Sequence, residues 1–256
     1  MSSDAAPATS EDAVLGGRLR LRQPLKGHRV GHDAILLAAA TAGRRGERAV
    51  DLGAGVGGAG LALAARIAGL QVTLVEIDPA LAELAAHNAR LNHLAGSVLA
   101  CPCDAEDTAA LTAAGLAPGS IDRVLMNPPF HDAGRQNVSP DPRRRLAHAA
   151  TPGLLARWVS SAAFLLKPGG VLTLIWRADG LDGVLAALGN GFGFVTVLPV
   201  LPHPERPAIR VLVRAVKGGE GGRAHLPPLV LNDVAGRPSA AAEAVLRHGE
   251  TLPLAT

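Results

Sequence analysis

Val50-Asp51-Leu52-Gly53-Ala54-Gly55-Val56-Gly57-Gly58-Ala59-Gly60 runs into Leu61-Ala62-Leu63-Ala64-Ala65-Arg66-Ile67-Ala68. A short apolar run ends in an acid, glycines then alternate with small residues, and a strongly helix-forming segment follows. Strand, glycine loop and helix in that order form the ligand-cradling turn of a doubly wound α/β sheet. Glycine suits the turn because its backbone tolerates positive φ and carries no Cβ to hold a ligand off the main chain.

Working outward, buried strands are expected from Ala49 to Leu52, Val72 to Glu76, Val98 to Cys101, Ile121 to Met126 and Val171 to Trp176. Helices fall between them: Ala34 to Ala40, Ala80 to Leu91, Trp158 to Leu166 and Leu181 to Leu188. Asp78-Pro79 supplies a cap and a first-turn proline for the helix that begins at Ala80. Phe194 to Leu198 and Ile209 to Val216 flank the bend Pro199-Val200-Leu201-Pro202-His203-Pro204 and should pair as an antiparallel edge hairpin. The sum is a mostly parallel, seven-stranded α/β sheet. Residues 1–14 read as disordered, 15–216 as the folded domain, and 217–256 as a glycine-rich break with a short tail. Gly17 to Gln23 alternates arginine with leucine and reads as a half-exposed strand.

Composition narrows the function classes. The chain has 256 residues, 48% of them hydrophobic but only 2% aromatic, so its core is aliphatic. A net charge of +3 is compatible with a polyanionic partner without requiring one. Cys101 and Cys103 flank a single proline, too close for an easy disulfide, and no second cysteine pair or histidine cluster completes a metal site. They are expected as reduced thiols in the cytoplasm. The N-terminus has no basic–apolar signal pattern, and no apolar run reaches the roughly 20 residues of a membrane helix.

The glycine loop alone leaves a nicotinamide dinucleotide open, since Gly53, Gly55 and Gly58 satisfy G-x-G-x-x-G. Three features argue otherwise: the position of Asp51, the continuation of the glycines as Gly53-x-Gly55-x-Gly57, and Asp104 as a further acid at a strand end. Asp51, two residues before the first glycine, discourages a pyrophosphate and suits an ammonium-bearing ligand. Glu76 at the end of the second strand has the reach to accept both ribose hydroxyls and rejects a 2′-phosphate. Asp104, after the third strand, could accept from an adenine amine or simply cap a turn. With Gly53, Gly55 and Gly57 they describe a site for S-adenosylmethionine (AdoMet). Asn127-Pro128-Pro129-Phe130 after the fourth strand points to the acceptor. A base amine or a carboxamide nitrogen is a poor nucleophile because its lone pair is delocalised. The Asn127 side-chain oxygen and the Pro128 carbonyl can hold its two N–H groups while the nitrogen becomes tetrahedral, and Phe130 offers a stacking face. No strong base is needed.

These residues resemble the class I AdoMet-dependent amino-methyltransferases, with their Rossmann-like fold. More narrowly, they resemble the bacterial adenine-N6 methyltransferases acting on the anticodon loop of a valine tRNA. Val30-Gly31-His32-Asp33-Ala34-Ile35-Leu36-Leu37 is similar to that family's Gly-Thr-Asp-(Ala/Gly)-Ile-Leu-Leu segment, with His32 in place of Thr. Asp51-Leu52-Gly53-Ala54-Gly55, Val75-Glu76-Ile77-Asp78 and the Asn-Pro-Pro-Phe motif also match. The resemblance implies AdoMet as cofactor, Asp33 among its binding residues with Asp51, Gly53, Gly55, Gly57, Glu76, Asp104 and Asn127, and RNA as partner. Arg135, Arg143, Arg144 and Arg145, in the polar stretch 131–152, form the basic patch best suited to phosphates. Phe130-His131-Asp132 resembles ribosomal RNA guanine-N2 methyltransferases. The release-factor glutamine methyltransferases share Asn-Pro-Pro, and a catalytically silent RNA-binding module is a further reading.

Overall fold

The structure, a computed structural model, describes residues 8–26, 29–129 and 153–255. Strands β1 (Thr9–Val14) and β2 (Leu19–Pro24) precede helix α1 (His32–Ala40). Then come β3 (Arg48–Leu52), α2 (Gly58–Arg66), β4 (Gln71–Glu76), α3 (Pro79–Leu91), β5 (Val98–Pro102), α4 (Thr108–Ala113) and β6 (Ile121–Met126). The second half holds α5 (Leu154–Leu165), β7 (Leu166–Arg177), α6 (Leu181–Leu188), β8 (Phe192–Leu201), β9 (Arg210–Lys217), β10 (Arg223–His225), β11 (Leu229–Val230) and α7 (Ala240–Leu246).

The main sheet runs β10-β8-β9-β7-β6-β3-β4-β5, with β11 also paired to β8. β3, β4, β5, β6 and β7 are mutually parallel, and β9 lies antiparallel between β7 and β8. The expected seven strands are all present and two short ones extend the edge. Burying both faces of a parallel sheet requires near-continuous apolar strands, and Val50, Leu52, Leu74, Val75, Val124, Leu125 and Met126 are essentially inaccessible. One face packs on α1, α2 and α3 through Leu36, Leu37, Leu61, Leu63 and Ala85. The other packs on α4, α5 and α6 through Leu111, Val159, Leu165 and Val184. The expected doubly wound α/β architecture is therefore realised, with strand carboxyl ends forming one rim.

Two sequence-based boundaries are corrected. Residues 9–14, expected without structure, form β1, paired antiparallel with β2 from Thr9↔Pro24 to Val14↔Leu19. Their polar composition hid the strand, because its stability comes from pairing and from Asp12, which receives Gln23 Nε2 at 2.9 Å and pairs with Arg29. The tail beyond residue 216 is also not loose. The glycine stretch folds against Gly193, where an added Cβ would stand 1.9 Å from Gly219 O. β10 and β11 then add in parallel to β8. Val245, Leu252 and Leu254 join the core on the α1 face, and Leu252 N donates to Ala39 O at 2.9 Å. No helix among the described residues is long and apolar enough to cross a membrane.

Candidate cofactor and acceptor site

The glycine loop adopts the conformation its composition demands. Gly53, Gly55 and Gly57 lie at φ +69°, +58° and +90°, in the left-handed region that side chains avoid. The surroundings of the three differ. An added Cβ at Gly53 would meet Trp158 Cη2 at 2.2 Å, and one at Gly57 would meet Leu61 and Leu74 at 2.9 Å. At Gly55 nothing lies within 4 Å. The open side of Gly55 is thus where a ligand can lie against bare backbone. Backbone bonds close the loop: Ala54 N donates to Val75 O and Gly57 N to Ala54 O, both at 2.9 Å. Gly53→Ala is expected to combine left-handed strain with the Trp158 clash. It should lower the melting temperature by several degrees and abolish cofactor binding, both read by thermal melts with and without ligand.

The acids sort by burial. Asp51 is 2% exposed, and its Oδ2 accepts from Gly60 N at 2.8 Å, inside the first turn of α2. Burial pushes its carboxyl up to about 7, with the Glu76 charge adding to the rise and the Gly60 N–H opposing it. Asp51 therefore acts on the loop from within. Glu76, at the end of β4, is held by two backbone donors: Gly55 N to Oε2 at 2.8 Å and Asp78 N to Oε1 at 2.9 Å. A carboxylate fixed in this way at a strand end has the acceptor geometry that a pair of vicinal hydroxyls needs. Asp104 is exposed, and its Oδ1 accepts from Glu106 N at 2.8 Å, the turn-capping geometry. Asp33, in the first turn of α1, is ion-paired with Arg210 of β9 at 2.8 Å.

Asn127 follows β6 directly. The β3–β6 register pairs Leu52 with Met126, so Gly53 and Asn127 leave adjacent strands side by side. Asn127 Oδ1 is buried and has no hydrogen-bond partner among the described residues. A buried acceptor left unpaired costs about 1–3 kcal/mol, and such an atom calls for an explanation. Pro128 is buried next to it. The structure thus brings Asn127, Pro128, Gly53, Gly55, Gly57 and Glu76 to one stretch of the strand carboxyl rim. Phe130, Arg135, Arg143, Arg144 and Arg145 lie outside the described residues.

Several residues of this region escape a sequence reading. Trp158 of α5, 9% exposed, closes on Gly53 from 105 positions away, and no local signal announces it. Val30 packs so closely on the loop that a Gly58 Cβ would meet its methyls at 2.6 and 2.7 Å. Ile77, between Glu76 and Asp78, is an exposed large apolar side chain. An apolar residue directly after a strand-ending acid was the available clue. Cys101 and Cys103 are free thiols with Sγ atoms 3.3 Å apart, and burial and the Cys101 thiol push Cys103 up to about 12. A cavity of about 650 Å³ lies elsewhere, between the β1–β2 hairpin and α7, and none of the site residues lines it except Val30 at their border.

Residues 29–200 match the model of the methyltransferase small domain family. The chain belongs to this family. Among curated relatives of this small-domain methyltransferase is the tRNA1(Val) (adenine(37)-N6)-methyltransferase of Porphyromonas gingivalis. It is 32% identical over 184 residues, 69% of this chain and 71% of the relative. The release factor glutamine methyltransferase of Bifidobacterium longum is 34% identical over 152 residues, covering 55% of this chain and 52% of the relative. Among solved structures, a predicted O-methyltransferase from Agrobacterium tumefaciens superposes with a TM-score of 0.71 at 29% identity, over 86% of this chain and 98% of that one.

Proposed function

We propose that this small-domain methyltransferase transfers the methyl group of AdoMet to the exocyclic N6 amine of an adenine in tRNA. The observation that carries the reading is the Asn127 Oδ1, a buried acceptor beside the glycine loop with no hydrogen-bond partner among the described residues. AdoMet, when bound, supplies an electrophilic methyl group on a sulfonium sulfur. Glu76, immobilised by two backbone donors, takes the ribose hydroxyls, Gly55 lets the ligand lie on the main chain, and Ile77 offers an apolar face to the adenine ring. Asp51 contributes negative potential beneath the loop, favourable to a cationic ligand.

Asn127 and Pro128 do the remaining work. The Asn127 oxygen accepts one N–H of the target amine and the Pro128 carbonyl accepts the other. Holding both hydrogens below the nitrogen directs its lone pair at the methyl carbon and stabilises positive charge as it develops. Pro128 and Pro129 stiffen the backbone behind the two acceptors, so little ordering is left for the moment of reaction. The proton leaves after transfer, from an ammonium far more acidic than the amine. RNA as partner, with tRNA preferred, is supported by the tRNA1(Val) relative, which aligns with 69% of this chain.

A second reading is protein-glutamine methylation, favoured by the relatives whose names carry it. A glutamine carboxamide is also an NH2 on an sp2 carbon, and the same two acceptors would hold it. This chain spans only about half of those relatives. Incubating the protein with tritiated-methyl AdoMet and separate pools of tRNA, ribosomal RNA and release factor discriminates the readings. Label recovered as N6-methyladenosine from tRNA is expected. Label as N2-methylguanosine, label in protein, or no label in any pool overturns the proposal.

A further inference from the structure

The β1–β2 hairpin is tied to the cofactor loop by a fully buried side chain that no reading of the site includes. Asn88, in the third turn of α3, is 0% exposed. Its Oδ1 accepts from Arg22 N at 2.7 Å, and its Nδ2 donates to Arg22 O and to Val56 O, both at 3.0 Å. Val56 is the crest of the loop, between left-handed Gly55 and Gly57. One turn further along α3, Asn92 makes the matching pair of bonds to Arg20, with Oδ1 accepting at 2.8 Å and Nδ2 donating at 2.7 Å. Two carboxamides one turn apart on a helix thus stand in for a neighbouring strand along the open edge of β2. Only Asn88 reaches on to the loop.

A second tie runs from the same hairpin. Gln23, 2% exposed, accepts from Val30 N through Oε1 at 2.7 Å and donates through Nε2 to Asp12 Oδ2 at 2.9 Å. Val30 in turn presses its methyls onto Gly58. The loop is therefore held at two neighbouring points, Val56 and Gly58, by a hairpin that contributes nothing to the main sheet.

We propose that Asn88 is a positioning residue for AdoMet. By fixing the Val56 carbonyl it holds the left-handed loop open at Gly55, so the hairpin serves as a buttress of the cofactor site. A loop with three glycines is intrinsically mobile, and restraint before binding improves affinity by reducing the ordering left to the ligand. The inference rests on the loop being the AdoMet site. Asn92 supplies the matched control, since it docks the same strand through the same chemistry without touching the loop.

The experiment measures the Kd of S-adenosylhomocysteine by calorimetry, and the melting temperature, for the wild type, Asn88→Ala and Asn92→Ala. Both variants are expected to melt at lower temperature. Asn88→Ala should bind at least about ten-fold more weakly and Asn92→Ala within about two-fold of wild type. Equal affinities in the two variants, whether both weakened or both unchanged, overturn the inference. Should Asn88→Ala fail to fold, Gln23→Met, which keeps the buried shape but frees Val30, tests the same buttress. A loss of affinity of three-fold or more supports it and unchanged affinity overturns it. A wild type that does not bind S-adenosylhomocysteine overturns the cofactor reading and the buttress together, whereas indistinguishable Asn88 and Asn92 variants overturn the buttress alone.

Discussion

Asn127→Ala is expected to lower the rate of methyl transfer by at least about 10³-fold while AdoMet affinity stays within about two-fold of wild type. Removing one preorganised acceptor from a transition state typically costs about that much, and about 4 kcal/mol of barrier is consistent with it. The proposed cofactor contacts lie on Gly55 and Glu76, which the substitution leaves in place. Thermal stability should not fall, because alanine deletes a buried acceptor that has no partner among the described residues. Single-turnover kinetics with saturating RNA, paired with ligand calorimetry, check both halves. An equal loss of AdoMet affinity moves Asn127 from the acceptor side of the site to the cofactor side.

The second large effect concerns Asp51. Its carboxyl titrates near 7 in the fold and near the usual 3.8 in the unfolded chain. Between those values the native state holds a proton that the unfolded chain has released, so this group's contribution to stability falls as pH rises from about 4 to about 7. At pH 8 the cost is on the order of 4 kcal/mol. Asn at this position keeps an oxygen for Gly60 N and removes the buried charge. Asp51→Asn should therefore raise the melting temperature at pH 8 by about 5 °C or more, and by little or nothing near pH 4, where the wild-type acid is already neutral. The same substitution should weaken AdoMet binding about ten-fold at pH 8, since the potential beneath the cationic ligand is lost. Melting curves across this pH range and calorimetry at pH 8 test the two effects separately. A stabilised variant with undiminished affinity makes Asp51 a purely architectural acid. Functional sites commonly retain such destabilising groups because activity needs them.

The parts of this site that were legible in the sequence are those whose physics is local. Glycines that must be left-handed, an acid at a strand end and an asparagine locked ahead of two prolines each announce themselves within five residues. The alternation of apolar strands and helices likewise reports the sheet, because burial on both faces leaves a continuous apolar run. What stayed hidden depends on partners far away in the chain. β1 has no apolar face to betray it and exists through its pairing with β2. β10 and β11 are three and two residues long, too short for any periodicity. The sequence places Asp51 before the loop without showing that its carboxylate turns inward to Gly60. Asp33 is spoken for by Arg210, 177 positions away. Asn88 looks like any polar residue on a helix until the strand it mimics is folded against it.

The two ends of the described chain meet. Arg18 Nη1 donates to His248 O, 230 positions apart, and Gly16 lies so close to Arg247 that a Cβ there would stand 2.7 Å from its carbonyl oxygen. During synthesis the glycine loop, α1 and the first five parallel strands emerge long before α7 and the segment that packs Leu252 and Leu254 under α1. Until translation passes that point, the apolar flank of α1 has no cover and the hairpin lacks its far support. A nascent polypeptide of this protein therefore exposes a greasy surface until residues 240–254 have been made, and acquires its working shape only when they dock.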